Sequence, residues 1–288
     1  MRETVAVDGT ALASSPRVAT TVLHVTATDA PSNVRIEDGV LRVAVATAAN
    51  GTSLDIEGIT QATAALREAG DDVRAVLLVG DGANFCAGGN VRAFASAENR
   101  GEFVGEIARA FHEFVRALDE TSAPVVAAVH GWAAGAGMSI VCLADIAIGG
   151  TSTKLRPAYP SIGFTPDGGM SWTLPRIVGA SRAREILLTD AVLNSDEACR
   201  LGLLSRLVED DQVQDEALRL ARMLAAGPTA SYAGIKALFV SSRTNTLSEQ
   251  LDAETASISA AADGATGREG VDAFVEKRRP DFSSVRDA

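Results

Sequence analysis

The sequence predicts an α/β fold, because short apolar runs alternate with amphipathic stretches of helical period. Three runs read as buried strands: Val73 to Val79 (VRAVLLV), Pro124 to Val129 (PVVAAV) and Ala144 to Ile148 (ADIAI). Between them, Leu54 to Ala69 aligns Ile59, Ala62, Ala65 and Leu66 on one helical face. Glu102 to Leu118 does the same for Phe103, Ile107, Phe111, Phe114 and Leu118. A hairpin precedes these elements, since apolar residues in 34–36 and 40–45 flank Glu37-Asp38-Gly39, an Asp-Gly turn signal.

Residues 1–32 are rich in Ala, Thr, Ser, Val and Pro and lack helical period. They read as an N-terminal arm, with Val22 to Val25 as a candidate short strand. The stretch 33–200 reads as the sheet-containing core. After Arg176 the chain turns helical and Ala-rich, with helices expected over Ser181 to Leu188, Ser195 to Leu201, Gln212 to Ala226, Thr229 to Val240 and Leu247 to Ala261. Gly202 and Gly227-Pro228 supply stops. Residues 201–288 therefore form a helical C-terminal region.

Composition narrows the function classes. Of 288 residues, 47% are apolar and 22% charged, which is ordinary globular composition. The net charge of −11 disfavours general binding to nucleic acid or to an anionic membrane. No apolar run approaches the ~20 residues of a membrane span, and the N-terminus lacks the apolar block of a secretory signal. Cys86, Cys142 and Cys199 lie far apart without a CxxC, so a disulfide framework or structural zinc site is poorly supported. A cytoplasmic protein is expected.

Two Gly-rich turns each follow an expected strand. One is Asn84-Phe85-Cys86-Ala87-Gly88-Gly89-Asn90; the other runs from His130 through Gly135-Ala136-Gly137 into an apolar helix ending near Leu143. Small residues let a ligand approach the main chain, and a helix N-terminus presents unpaired N–H groups, so two such turns could cradle an oxyanion. Equally, the glycines could serve only tight turns and close packing. Neither turn is a P-loop or a dinucleotide fingerprint. A third stretch, 157–170, holds Asp167 between Pro166 and Gly168-Gly169 with few charges nearby. Such a setting disfavours a carboxylate's charged form and suits a general base. The alternative is that Asp167 caps the following helix.

Taken together and in order, FCAGGNV (85–91), PVVAAVHGWAAGAGMSIVCLADIAI (124–148), IGFTPDGGMSWTLPRIVG (162–179) and EACRLGLLSRLV (197–208) resemble the crotonase superfamily, the enoyl-CoA hydratase/isomerase family. The resemblance spans about residues 34–283. It implies a spiral core of ββα units, a helical C-terminal region that builds a homotrimer or dimer of trimers, and an acyl-CoA thioester as substrate with no separate cofactor. By position, the implied backbone donors to the thioester oxygen fall on Ala87 and Ala136. The two glutamates of the family's hydratases fall on Ser139 and Tyr159, so two-glutamate hydration is not expected. Asp167 aligns with an acidic position of other branches: the base of phenylacetate-type isomerases, the nucleophile of aryl-CoA dehalogenases, and an aspartate of dihydroxynaphthoyl-CoA synthases.

The C-terminal segments Thr244 to Leu247, Gln250 to Glu254 and Arg268 to Phe274, with Lys277-Arg278 and Pro280, look most like the phenylacetate-type isomerases. The resulting expectation is a double-bond isomerase with Asp167 as its one acid/base. Hydratase, dehalogenase-like enzyme and silent acyl-CoA-binding scaffold stand as alternatives. Tyr159, Phe164, Met170 and His112 are expected around the acyl group, with Trp172 nearby. His112 also aligns with a dehalogenase histidine, or it only packs near the pocket. Cys86, Gly88, Gly89, Phe274 and Lys277 are expected to contact CoA, the last two from a neighbouring subunit.

Overall fold

The computed structural model describes residues 33–285 except residue 69. The N-terminal arm, 1–32, with its candidate strand at 22–25, lies outside the described residues. Strands β1 (Val34–Glu37) and β2 (Val40–Thr47) form the expected antiparallel hairpin. Asp38 and Gly39 both take positive φ (53° and 75°), which a two-residue turn needs to match strand twist. Helix α1 (Ile56–Glu68) leads to β3 (Ala75–Asp81), which pairs parallel to β2. Two helices follow, α2 (Val91–Ser96) and α3 (Arg100–Glu120), capped by Asn90 and Asn99 side chains. Strand β4 (Val125–Val129) then pairs parallel to β3.

Strands β3 and β4 read as continuous apolar runs because both faces of the sheet are covered. Side chains of β2, β3 and β4 alternate between two cores, except at the register shift between Ala44 and Ala46. Val43, Leu78 and Ala127 enter one, shared with α1 and α3, while Ala44, Leu77 and Ala128 enter the other.

At Gly131, φ 56°, the chain leaves this sheet. A short strand β5 (Trp132–Ala134) runs into α4 (Ala136–Leu143), and β6 (Ile146–Gly150) returns to pair parallel to β4. Next, β7 (Lys154–Arg156) pairs parallel to β5. Helices α5 (Met170–Val178) and α6 (Ala180–Thr189) precede β8 (Leu193–Asn194), antiparallel to β7. Sequence periodicity misses the second sheet, β5-β7-β8, because strands of two or three residues are too short to show a period.

Helix α7 (Ser195–Arg200) leads to β9 (Arg206–Val208), which pairs parallel to β6 and completes the main sheet in the order β1-β2-β3-β4-β6-β9. The sheet thus extends past the expected boundary at residue 200. So does the core: α8 (Val213–Ala225) buries Val213, Ala217, Leu220, Ala221 and Leu224 against the back of the sheet. Beyond it, α9 (Thr229–Ser241) and α10 (Leu247–Asp263) contain no fully buried residue. The last helix is α11 (Ala265–Glu276).

The two sheets are drawn together where α4 begins. A Cβ built on Gly137 would lie 2.2 Å from the Cys86 carbonyl oxygen, so only glycine fits. Helix propensity favours alanine over glycine by about 1 kcal/mol, but overlap with main chain cannot be relieved by a rotamer change. Gly137→Ala is expected to destabilise the fold by about 1–3 kcal/mol in urea denaturation. An unchanged midpoint would show that this contact does not constrain the junction.

Candidate active site

The two Gly-rich turns meet. Cys86 bridges to β5: its N–H donates to the Trp132 carbonyl at 3.1 Å, and its carbonyl accepts from Ala134 N–H at 2.9 Å. Gly135, φ 52°, then starts α4, leaving the N–H of Ala136 at the helix N-terminus without a protein partner among the described residues.

On the first turn the expected donor is corrected. The Ala87 N–H donates to the Thr52 carbonyl at 2.8 Å, and the Gly88 carbonyl accepts from Leu54 N–H at 2.8 Å. Pairing with 52–54 therefore consumes the Ala87 amide. The Gly88 N–H is directed at the Cys86 sulfur. The Gly89 N–H has no partner among the described residues. Gly89 and Ala136 are thus the amides left over where the turns converge. Thr52 holds φ 63°, an uncommon conformation for a β-branched residue, and no local motif around it signals its part here.

A cavity of about 710 Å³ opens beside these turns. Gly88, Gly89, Ala136, Tyr159, Phe164 and Asp167 line it, with Phe94, Ile107 and Phe111 supplying apolar wall. The rings of Phe94 and Phe164 stack at 6.2 Å. Asp167 is the one carboxylate on its lining among the described residues.

Asp167 is not a helix cap. Helix α5 starts at Met170 after Gly169, with no side-chain cap. Gly168 and Gly169 both take left-handed φ (58° and 77°), and a Cβ on Gly168 would strike the Phe111 ring at 2.2 Å. This tight turn holds Asp167 at the cavity. The Tyr159 hydroxyl donates to Asp167 Oδ1 at 2.6 Å, and the Ser139 hydroxyl donates to the Asp167 carbonyl at 3.0 Å. Ser139 Oγ also lies 3.2 Å from the Tyr159 hydroxyl. Burial, and then the Asp167 charge, push the Tyr159 phenol well above its ordinary range, so it stays a donor.

Other expected residues fall elsewhere. Met170 is fully buried in the core and does not line the cavity. Nor does Trp172, whose ring lies between the guanidinium groups of Arg176 (3.9 Å) and Arg243 (4.5 Å). Cys86 is also fully buried, so it cannot touch CoA; burial pushes its thiol up to about 12. His112 stands behind the cavity wall, where its Nε2 accepts the Gly168 N–H at 3.2 Å. It holds the turn after Asp167. Phe274, 85% exposed, and Lys277, just past α11, lie off the cavity lining.

Comparison with known proteins agrees with this architecture. The family model described as enoyl-CoA hydratase/isomerase matches residues 35–285. The chain is 38% identical over 221 residues to the 1,2-epoxyphenylacetyl-CoA isomerase of Escherichia coli (strain K12), covering 75% of this chain and 83% of that protein. It is 35% identical over 165 residues to a 4-chlorobenzoyl coenzyme A dehalogenase-1 from an Arthrobacter species, covering 56% and 59%. An enoyl-CoA hydratase structure from Polaromonas sp. JS666 superposes with a TM-score of 0.79 at 30% identity, covering 86% of this chain and 97% of that one.

Thiol burial leads to a direct measurement. Cys86 and Cys142 are buried with thiols pushed up to about 12, whereas Cys199 is only partly buried. Since the thiolate is the reactive form, alkylation of the folded protein at pH 8 is expected to modify Cys199 alone. Denaturant should expose all three cysteines. Modification of Cys86 in the folded state would contradict the burial of the first turn.

Proposed function

Because the chain belongs to the enoyl-CoA hydratase/isomerase family, the crotonase-type acyl-CoA enzymes, we propose that it shifts a carbon–carbon double bond in an enoyl-CoA thioester. The observation that carries this reading is the single carboxylate, Asp167, on a cavity that also meets two partner-free amides. In this reading the thioester oxygen accepts hydrogen bonds from the N–H groups of Gly89 and Ala136. Such donors stabilise the charge that develops on oxygen, each contributing ~2.7–4 kcal/mol in comparable sites. Asp167 removes a proton from C2 of a 3-enoyl-CoA, the dienolate rests on the two amides, and the same carboxylate returns the proton at C4. No separate cofactor enters this proposal.

Hydration by a carboxylate pair is disfavoured because Ser139 and Tyr159 are hydroxyls already bonded to each other and to the Asp167 loop. The dehalogenase relative supports a second reading, in which Asp167 is a nucleophile toward a haloaryl-CoA. Against it, His112 is engaged with the Gly168 amide and is not among the residues that line the cavity.

The same proposal includes a second copy of the chain packed on the C-terminal helices. Ile235, Phe239, Leu251 and Ile258 are each more than half exposed on α9 and α10, an apolar surface larger than scattered side chains explain. The proposal is a homotrimer or dimer of trimers, with Phe274 and Lys277 reaching CoA bound to a neighbour. Light scattering at micromolar concentration is expected to give a trimer or hexamer mass, and a monomer would overturn this part.

The main test is incubation with 3-enoyl-CoA and 2-enoyl-CoA, following isomerisation and hydration by mass and absorbance, with 4-chlorobenzoyl-CoA as a third substrate. Isomerisation is expected; halide release would move the assignment to the dehalogenase reading, and binding without turnover to the scaffold. Asp167→Asn keeps the shape and removes the basicity. Isomerase activity should fall about 10²–10⁴-fold while acyl-CoA binding survives. Full activity in that variant would remove Asp167 from the mechanism.

A further inference from the structure

The geometry points to Tyr159 as a positioning residue that, with Ser139, fixes Asp167 by one oxygen and decides between double-bond migration and water addition. This rests on Asp167 being the base of the preceding subsection.

A phenol has one proton to donate, and that of Tyr159 goes to Asp167 Oδ1 at 2.6 Å. In the contact between Ser139 Oγ and the Tyr159 hydroxyl, at 3.2 Å, only serine has a proton left to offer, and it shares that one proton with the nearer Asp167 carbonyl. Ser139 has further acceptors in the carbonyls of Asp167 (3.0 Å) and Gly135 (3.3 Å). Ser139 is fully buried and Tyr159 is 8% exposed. Neither hydroxyl replaces a carboxylate as a base.

Asp167 Oδ2 has no hydrogen bond to protein among the described residues. It is the one oxygen free to take a proton from one carbon and return it to another. Adding water requires a further acceptor to hold and deprotonate it, and the lock has used the acceptors that were available.

Placement supports the role. Ala158 takes φ 61° and donates its N–H to Asp190 Oδ1 at 2.7 Å, which fixes the main chain just before Tyr159. Ser139 lies one helical turn after Ala136 on α4, so one turn of helix presents a partner-free amide and grips the base loop. Displacing the carboxylate therefore breaks its register with that amide.

The test uses Tyr159→Phe, with Ser139→Ala as a second variant should the first fail to fold. Three quantities are read on each: deuterium uptake from solvent at C2 of butyryl-CoA, isomerisation of 3-hexenoyl-CoA, and hydration of 2-hexenoyl-CoA. Butyryl-CoA has no double bond to move, so its exchange reports the base and oxyanion site alone. Tyr159→Phe is expected to leave KM within about twofold and to lower kcat for exchange and isomerisation about tenfold or more, the effect of losing a hydrogen bond to a charged group. The ratio of hydrated to isomerised product should rise. Ser139→Ala should act in the same direction and less strongly.

A variant with raised KM but unchanged kcat and product ratio would make Tyr159 mere pocket wall and overturn the lock while leaving Asp167 in place. Exchange absent from the unmodified enzyme would overturn Asp167 as base, and the lock with it.

Discussion

The site depends on one close approach of main chain to main chain. The turn at 85–89 is hydrogen-bonded to β5 through both polar groups of Cys86, and Gly137 of α4 packs directly on the Cys86 carbonyl. Because the first turn follows β3 of the main sheet and pairs with β5 of the second, this junction also joins the sheets. It leaves the amides of Gly89 and Ala136 without protein partners among the described residues. Partner-free main-chain donors at a concave surface are costly unless water or a ligand takes them. An arrangement of this kind is one that an incoming carbonyl oxygen satisfies.

The acidic side chain is held as firmly as the amides. Two consecutive left-handed glycines follow Asp167, Phe111 fills the space a Cβ on Gly168 would need, and His112 receives the Gly168 N–H. Both Phe111 and His112 come from α3, whose other buried residues anchor it in the core. The carboxylate's position is thus inherited from helix packing instead of being left to a loop. Ser139 and Tyr159 attach the same loop to α4 and to the chain after β7.

Charge and surface divide along the chain. The protein carries a net charge of −11, yet the cavity wall is largely apolar, with Asp167 as its one carboxylate among the described residues. Amide dipoles of this kind can polarise a neutral carbonyl oxygen without a cationic field. The exposed apolar residues concentrate on the helices after α8, outside the layer that covers the sheet.

Much of this was legible in the residues. Apolar runs such as VRAVLLV located the doubly covered strands, Asp-Gly located the hairpin, and the order of the Gly-rich motifs carried the family and the importance of Asp167. These are local signals: a period, a turn residue, a motif. What only the tertiary structure decided are the matters of pairing. Nothing near Ala87 shows that Thr52 takes its N–H, and so the donor assignment moves to Gly89. The motif that placed Met170 near the site could not tell that its side chain is buried in the core. Nor could it show that Tyr159 and Ser139 bond Asp167. A hydrogen bond belongs to two partners, and where the second is remote in sequence, only folding brings it into reach.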